Sequence, residues 1–203
     1  MTDTYLSIAA PAEAEYSEKR SKFLAFAFPV KTTEEVKVLV DRYEKEYYDA
    51  RHVCYAYMLG AERKLFRAVD NGEPSGTAGR PILGQINSAG LTDVLIIVVR
   101  YFGGIKLGTS GLTQAYKTAA AAAIEHAKVE EYTVDALVNV SFEYTLMNSI
   151  MRIVKEEEPQ VLGQSFDNNC ILHLKMRKGL VPKILERFAT VRGATTEVLD
   201  ENY

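Results

Sequence analysis

Residues 93–112 read DVLIIVVRYFGGIKLGTSGL. The six aliphatic residues 94–99 are apolar at both alternating sets of positions and mostly β-branched, which predicts a strand covered on both faces and set deep in a sheet. It delivers Arg100 and Tyr101 to its end. Beyond the glycine-rich segment, Leu112, Ala115, Tyr116, Ala119, Ala123, Ile124 and Ala127 recur at helical spacing. The alanine run 119–123 implies that this helix lies close against the sheet.

Working upstream, 23–30 is apolar and aromatic enough for a strand, and Thr32-Thr33-Glu34-Glu35 reads as a capping box. The Thr32 hydroxyl would accept the N3 amide while Glu35 reaches back to the N-cap amide. Val36, Leu39, Val40, Tyr43 and Tyr47 then mark an amphipathic helix. Residues 52–59 alternate toward Val53, Tyr55, Tyr57 and Leu59, and 64–69 can pair with them as a hairpin through Gly60-Ala61-Glu62.

Downstream, the pattern starts afresh near Tyr132. Strands over 134–144, 160–166, 170–176 and 195–199 and helices over 146–155 and 180–188 give the order βαββαβ, the ferredoxin-like arrangement. Asp167-Asn168-Asn169 forms a polar hairpin turn, and Pro182 falls in a first helical turn, where its missing N–H does little harm. The expected fold class is therefore α+β in two domains, 1–130 and 131–203, with little free linker.

Composition excludes several classes. Of the 203 residues 47% are apolar and 25% charged, ordinary globular usage, so neither disorder nor a fibrous repeat is indicated. No aliphatic run approaches the roughly 20 residues that span a bilayer, and residues 1–10 lack a basic lead into an apolar stretch, so neither membrane anchoring nor export is expected. Cys54 and Cys170 sit in strand-like runs of different domains, which argues against a disulfide and for a reducing, cytoplasmic setting. Both read as small core residues. Three scattered histidines and no Cys-x-x-Cys pair leave no zinc-ligand spacing, and no metal or cofactor is expected. The net charge of −3 conceals an asymmetry: residues 51–117 hold eight Lys or Arg against four acids. Glu156-Glu157-Glu158 reads as a solvated helix end or a contact for a basic partner.

Two loops stand apart. The segment 70–81, DNGEPSGTAGRP, is too long for a simple turn; Gly72, Gly76 and Gly79 allow a partner close to the main chain, and Ser75, Thr77 and Arg80 supply polar reach. The segment 100–111, RYFGGIKLGTSG, carries Gly103, Gly104, Gly108 and Gly111 from a buried strand into a helix. Its amides, the Thr109 and Ser110 hydroxyls and the charges of Arg100 and Lys106 suit an anion. The same residues equally suit a helix capped by Thr109 or Ser110 after a tight turn. Neither a P-loop nor a dinucleotide fingerprint is present, and Leu112 stands where a nucleophile elbow needs its second glycine.

Together, DNGEPSGTAGRPI and DVLIIVVRYFGGIKLGTSGL strongly resemble the IMPACT family, whose bacterial members are the YigZ-like proteins. The resemblance covers about 20–126, and 134–199 looks like the C-terminal domain of the bacterial members. It implies an N-terminal domain with the ribosomal-protein-like fold of domain IV of elongation factor G and a C-terminal domain similar to domain V of that factor. It further implies contact with RNA or ribosomes, since eukaryotic relatives are regarded as regulators of translation under stress.

Three readings stay open. In a binding protein, Arg51, Arg67, Arg80, Arg100 and Lys106 would hold RNA or ribosomal phosphates while Tyr101 offers a stacking face and Phe102 fills core. In an enzyme on a phosphorylated or nucleotide substrate, Asp70 and Glu73 would hold Mg²⁺ and His52 would move protons. In an adaptor, the loops and the acidic C-terminal domain would bind a protein partner in translation control.

Overall fold

β6 (Val94–Tyr101) is buried along nearly its whole length, and the N-terminal part of the chain is built around it. The structure is a computed structural model that describes residues 3–166 and 169–199. It separates into one unit, Tyr5–Tyr132, and a second formed by Thr133 onward with Asp3 and Thr4.

In the first unit, β2 (Ala12–Glu18), β3 (Ser21–Pro29), β4 (His52–Leu59) and β5 (Leu65–Val69) join β6 in the order β2-β3-β6-β4-β5, antiparallel throughout. One face packs Leu95, Ile97 and Val99 against α1 (Thr33–Glu46). The other packs Val94, Ile96 and Val98 against α2 (Gly79–Ser88) and α3 (Gly108–His126). The helical set expected of α3 is met by the buried Leu112, Ala115, Tyr116, Ala119 and Ala123. Thr32 caps α1 as its motif predicts, accepting the Glu35 amide at 3.2 Å, but the Glu35 carboxylate takes the Lys31 N–H at 2.7 Å, one residue before the N-cap.

Four elements were not foreseen. β1 (Thr4–Ile8) pairs with β7 (Val129–Thr133), and β2, a Glu/Ala alternation of low strand propensity, is an edge strand held by its pairing to β3 and by Ala14 and Tyr16, which pack on the core that α3 shares. α2 begins at Gly79, so the loop expected over 70–81 ends at Ala78 and Pro81 lies in a first helical turn, where its ring is tolerated. Thr109 and Ser110 do not cap α3: Leu107 is its N-cap, with no side-chain capping bond, and both hydroxyl residues lie exposed within the first turn.

The second unit runs β8 (Asp135–Phe142), α4 (Met147–Glu157), β9 (Gln160–Phe166), β10 (Cys170–Arg177), α5 (Val181–Ala189) and β11 (Thr195–Leu199). The sheet order β11-β8-β10-β9, antiparallel, is the ferredoxin-like one. Val138, Val140, Leu172 and Leu174 meet Ile150, Ile153, Ile184 and Phe188 in its core. Asp167 and Asn168 of the expected β9–β10 turn lie outside the described residues. Glu156 and Glu157 are not merely solvated: Glu157 binds Lys183 and Arg187 at 2.6 Å each and Glu156 binds Arg187, which ties α4 to α5.

Two glycines are required by backbone packing. A methyl on Gly79 would press on the Val69 amide nitrogen and sit 2.8 Å from the Ala68 carbonyl carbon, while one on Gly103 would collide with the Arg20 carbonyl group. Gly84, inside α2, faces open space. Gly79→Ala should therefore lower stability by about 1–3 kcal/mol, whereas Gly84→Ala should leave it unchanged or raise it by up to about 1 kcal/mol. Denaturant titration of the two variants distinguishes close approach from simple loop flexibility.

Candidate functional site

Strand register brings the two glycine loops together. Lys22 pairs with Tyr101, His52 with Arg100 and Tyr55 with Val69, so the starts of β3 and β4 and the ends of β5 and β6 share one end of the sheet. The β2–β3 turn, the approach to β4 and both loops open there.

Beneath them lies a buried polar cluster. The Glu73 side chain, 3% exposed, accepts Arg100 Nη1 at 2.6 Å and the Tyr116 hydroxyl at 2.9 Å, both through Oε1. Arg100 Nη2 lies 3.5 Å from Ser21 Oγ, its Nε is buried without a partner, and its guanidinium sits 5.6 Å from the rings of both Phe23 and Phe102. Ser21 Oγ also accepts the Gly103 amide at 3.3 Å. The Cys54 thiol donates to the Asp70 carbonyl at 2.8 Å, and burial pushes its pKa up to about 12. Burial likewise drives the Tyr116 hydroxyl far above its usual range. Both stay protonated, as structural donors.

Asp70 organises the first loop. Its Oδ2 accepts the Gly76 amide at 2.7 Å and its Oδ1 the Ala78 and Gly79 amides at 3.0 and 2.8 Å, so it caps α2 from across the loop. Burial would raise its pKa, but the amides of Gly76, Gly79 and Ala78 and the charge of Arg80 outweigh that and hold it below the usual value. The carboxylates that the sequence offers as Mg²⁺ ligands, Asp70 and Glu73, are thus engaged by protein donors. His52 Nδ1 lies 2.9 Å from the Asn71 carbonyl oxygen, and Nε2 lies 3.8 Å from Glu73 Oε1.

The sequence-predicted phosphate ligands divide. Arg51, Arg80 and Lys106 are exposed at this sheet end. Arg100 is not a surface ligand: it is 5% exposed, because the β6 alternation turns it inward onto Glu73. Arg67 is exposed but opposite Tyr57 on the outer strand, farther from the loops than Val69. Tyr101 alternates to the α1 face, where its hydroxyl donates to Asp49 at 3.0 Å, whereas Phe102, expected in the core, is 47% exposed. Thr109 and Ser110 are exposed in α3's first turn. Sequence reasoning missed Lys19 and Arg20, both exposed in the β2–β3 turn; a basic pair between two alternating runs was the available signal.

A family model, the Impact N-terminal domain, matches residues 19–124, from this turn through both loops and most of α3. The chain belongs to the IMPACT family. Family members similar to it include YvyE of Bacillus subtilis (strain 168), 33% identical over 158 residues, 78% of this chain and 73% of that one. YigZ of Escherichia coli (strain K12) is 27% identical over 199 residues, 97% of this chain and 98% of that one. A crystal structure of a hypothetical protein superposes with a TM-score of 0.74 at 27% identity, covering all of both chains. The two-unit α+β architecture is thus shared along the whole length. Among the described residues, no helix is long and apolar enough to cross a membrane.

Two measurements probe this cluster. Glu73→Gln leaves the Arg100 charge buried without its counter-ion and should cost about 3–5 kcal/mol in denaturant unfolding. Because Asp70 is more acidic folded than unfolded, its contribution is complete above the unfolded value of about 4 and is lost as pH falls through the lower folded value. Asp70→Asn should cost about 1 kcal/mol at neutral pH and should flatten the acid-side fall in melting temperature.

Proposed function

We propose that the protein regulates translation by binding RNA or the ribosome through the loop-bearing end of its N-terminal sheet, without catalysing a reaction. The observation that carries this reading is that Lys19, Arg20, Arg51, Arg80 and Lys106 are all exposed at that one end, beside the exposed Phe102. Lysine and arginine contacts to phosphates supply most sequence-independent affinity for nucleic acid. The first loop, which leads into Arg80, is pinned from beneath by Asp70 and by the Glu73–Arg100 pair, so little ordering cost remains to be met there on binding.

Membership of the IMPACT family supports the link to translation, as does the likeness of the two domains to domains IV and V of elongation factor G that the sequence motifs imply. Translation takes place in the cytoplasm, and protein partners of translation control would meet the same surface. Binding is favoured over chemistry because the carboxylates of Asp70 and Glu73 serve the loops themselves.

Affinity for RNA should fall as salt rises, with a logarithmic slope of roughly −0.7 per phosphate contact for single strands. The triple variant Arg51→Ala/Arg80→Ala/Lys106→Ala should flatten that slope by about 2 and weaken binding evenly across sequences. Fluorescence anisotropy across a salt series reads both quantities. Identical affinity and slope in wild type and variant would exclude this surface, and turnover of a nucleotide by the wild type would favour the enzyme reading.

A further inference from the structure

The chain's own packing accounts for the terminal nitrogens of Arg100, for Ser21 and for Gly103 but not for two neighbouring features. The first is Phe102, a large ring 47% exposed whose guanidinium neighbour, Arg100, is buried 5.6 Å from its centroid. The second is the two-residue turn between β2 and β3. Glu18 pairs with Ser21, and the intervening Lys19 and Arg20 both adopt left-handed backbone, with φ of 45° and 68°.

Positive φ at both central positions is the pattern of a type I′ hairpin turn, for which Asn-Gly is the favoured pair. Lysine and arginine carry a Cβ penalty there that the fold alone gives no reason to bear. Strain of this kind, held by its surroundings, points to function. The surroundings are visible: Gly103 packs on the Arg20 backbone, and its amide is bound by Ser21 Oγ at 3.3 Å. Since Gly103 follows Phe102 in the chain, the cationic turn and the exposed ring are clamped side by side.

We propose that Phe102 and the Lys19-Arg20 turn form a binding unit for single-stranded nucleic acid, in which an unpaired base stacks on the Phe102 ring and the adjoining phosphates meet Lys19 and Arg20. The inference rests on the RNA-binding reading and specifies its ligand. A duplex keeps its base faces stacked internally and has nothing to lay on the ring, whereas a single strand offers both faces and backbone. Arg100 behind the ring fixes its position without reaching the ligand. Lys106, three residues after Gly103, is also exposed.

The test uses the full chain with a short single-stranded RNA and a blunt-ended RNA duplex without a loop as probes, read by anisotropy across a salt series and by thermal unfolding. Phe102→Leu should weaken single-strand binding by about tenfold with the salt slope unchanged, and leave duplex binding as it was. Phe102→Tyr should restore the affinity. The double variant Lys19→Asn/Arg20→Gly should flatten the slope by about 1.4 while the melting temperature rises by a few degrees as the strain is relieved. Should Phe102→Leu bind the single strand as wild type does, or should the double variant keep the wild-type slope, the unit is excluded even if Arg51→Ala/Arg80→Ala/Lys106→Ala still loses affinity. A double variant that melts no higher than wild type removes the strain argument. Wild-type protein without salt-dependent RNA binding removes this unit and the broader reading together.

Discussion

Glu73 and Arg100 lie 27 residues apart in the chain and share a 2.6 Å hydrogen bond beneath the end of the N-terminal sheet. Each is a charge that burial alone would disfavour, and each makes the other tolerable. Arg100 is where it is because β6 is central and its alternation turns that position toward α2 and α3; Glu73 must then be brought in by the loop after β5. Tyr116 of α3 joins the same carboxylate oxygen at 2.9 Å, so one oxygen links a strand, a loop and a helix. The shape of the exposed surface above follows from this buried contact.

The glycine content of the two loops has a similar origin. Asp70 gathers the amides of Gly76, Ala78 and Gly79 on one carboxylate, which bends the first loop into the start of α2. Gly79 and Gly103 bring main chain against main chain, on β5 and on the β2–β3 turn. Much of what looks in sequence like a cradle for a ligand is thus the means by which the protein closes on itself. Among the residues that face outward are several cations and the Phe102 ring.

The second unit has a different economy. Its helices sit on one face of a four-stranded sheet, and Glu156 and Glu157 hold α4 to α5 through Lys183 and Arg187. The hydrogen bonds of Lys183 and Arg187 hold the Glu157 carboxyl below the usual value. The acids that give this part of the chain its negative balance are in part internal counter-ions, so net charge overstates how acidic its outer surface is.

By itself the sequence determined the strands and helices with strong periodicity. The apolar run 94–99 predicted a strand covered on both sides, the Ala-rich segment after it implied close packing, and the pattern over 134–199 carried the βαββαβ order. Local pattern suffices there because burial and spacing are recorded together in neighbouring residues. β2 and α2 were not read, since Glu/Ala alternation and a Gly-Arg-Pro start carry only a weak local preference and depend on β3, α3 and Asp70, which lie elsewhere in the chain. The candidate site divided in the same way: Arg51, Arg80 and Lys106, proposed from charge and loop context, are exposed cations. Only the tertiary structure could decide that Arg100 is buried on Glu73, that Tyr101 and Arg100 face opposite sides of the sheet, and that Lys19 and Arg20 stand beside Phe102. The physical reason is that strand register and the faces of a central strand are set by partners distant in sequence, and a side chain's exposure is decided by what those partners place above it.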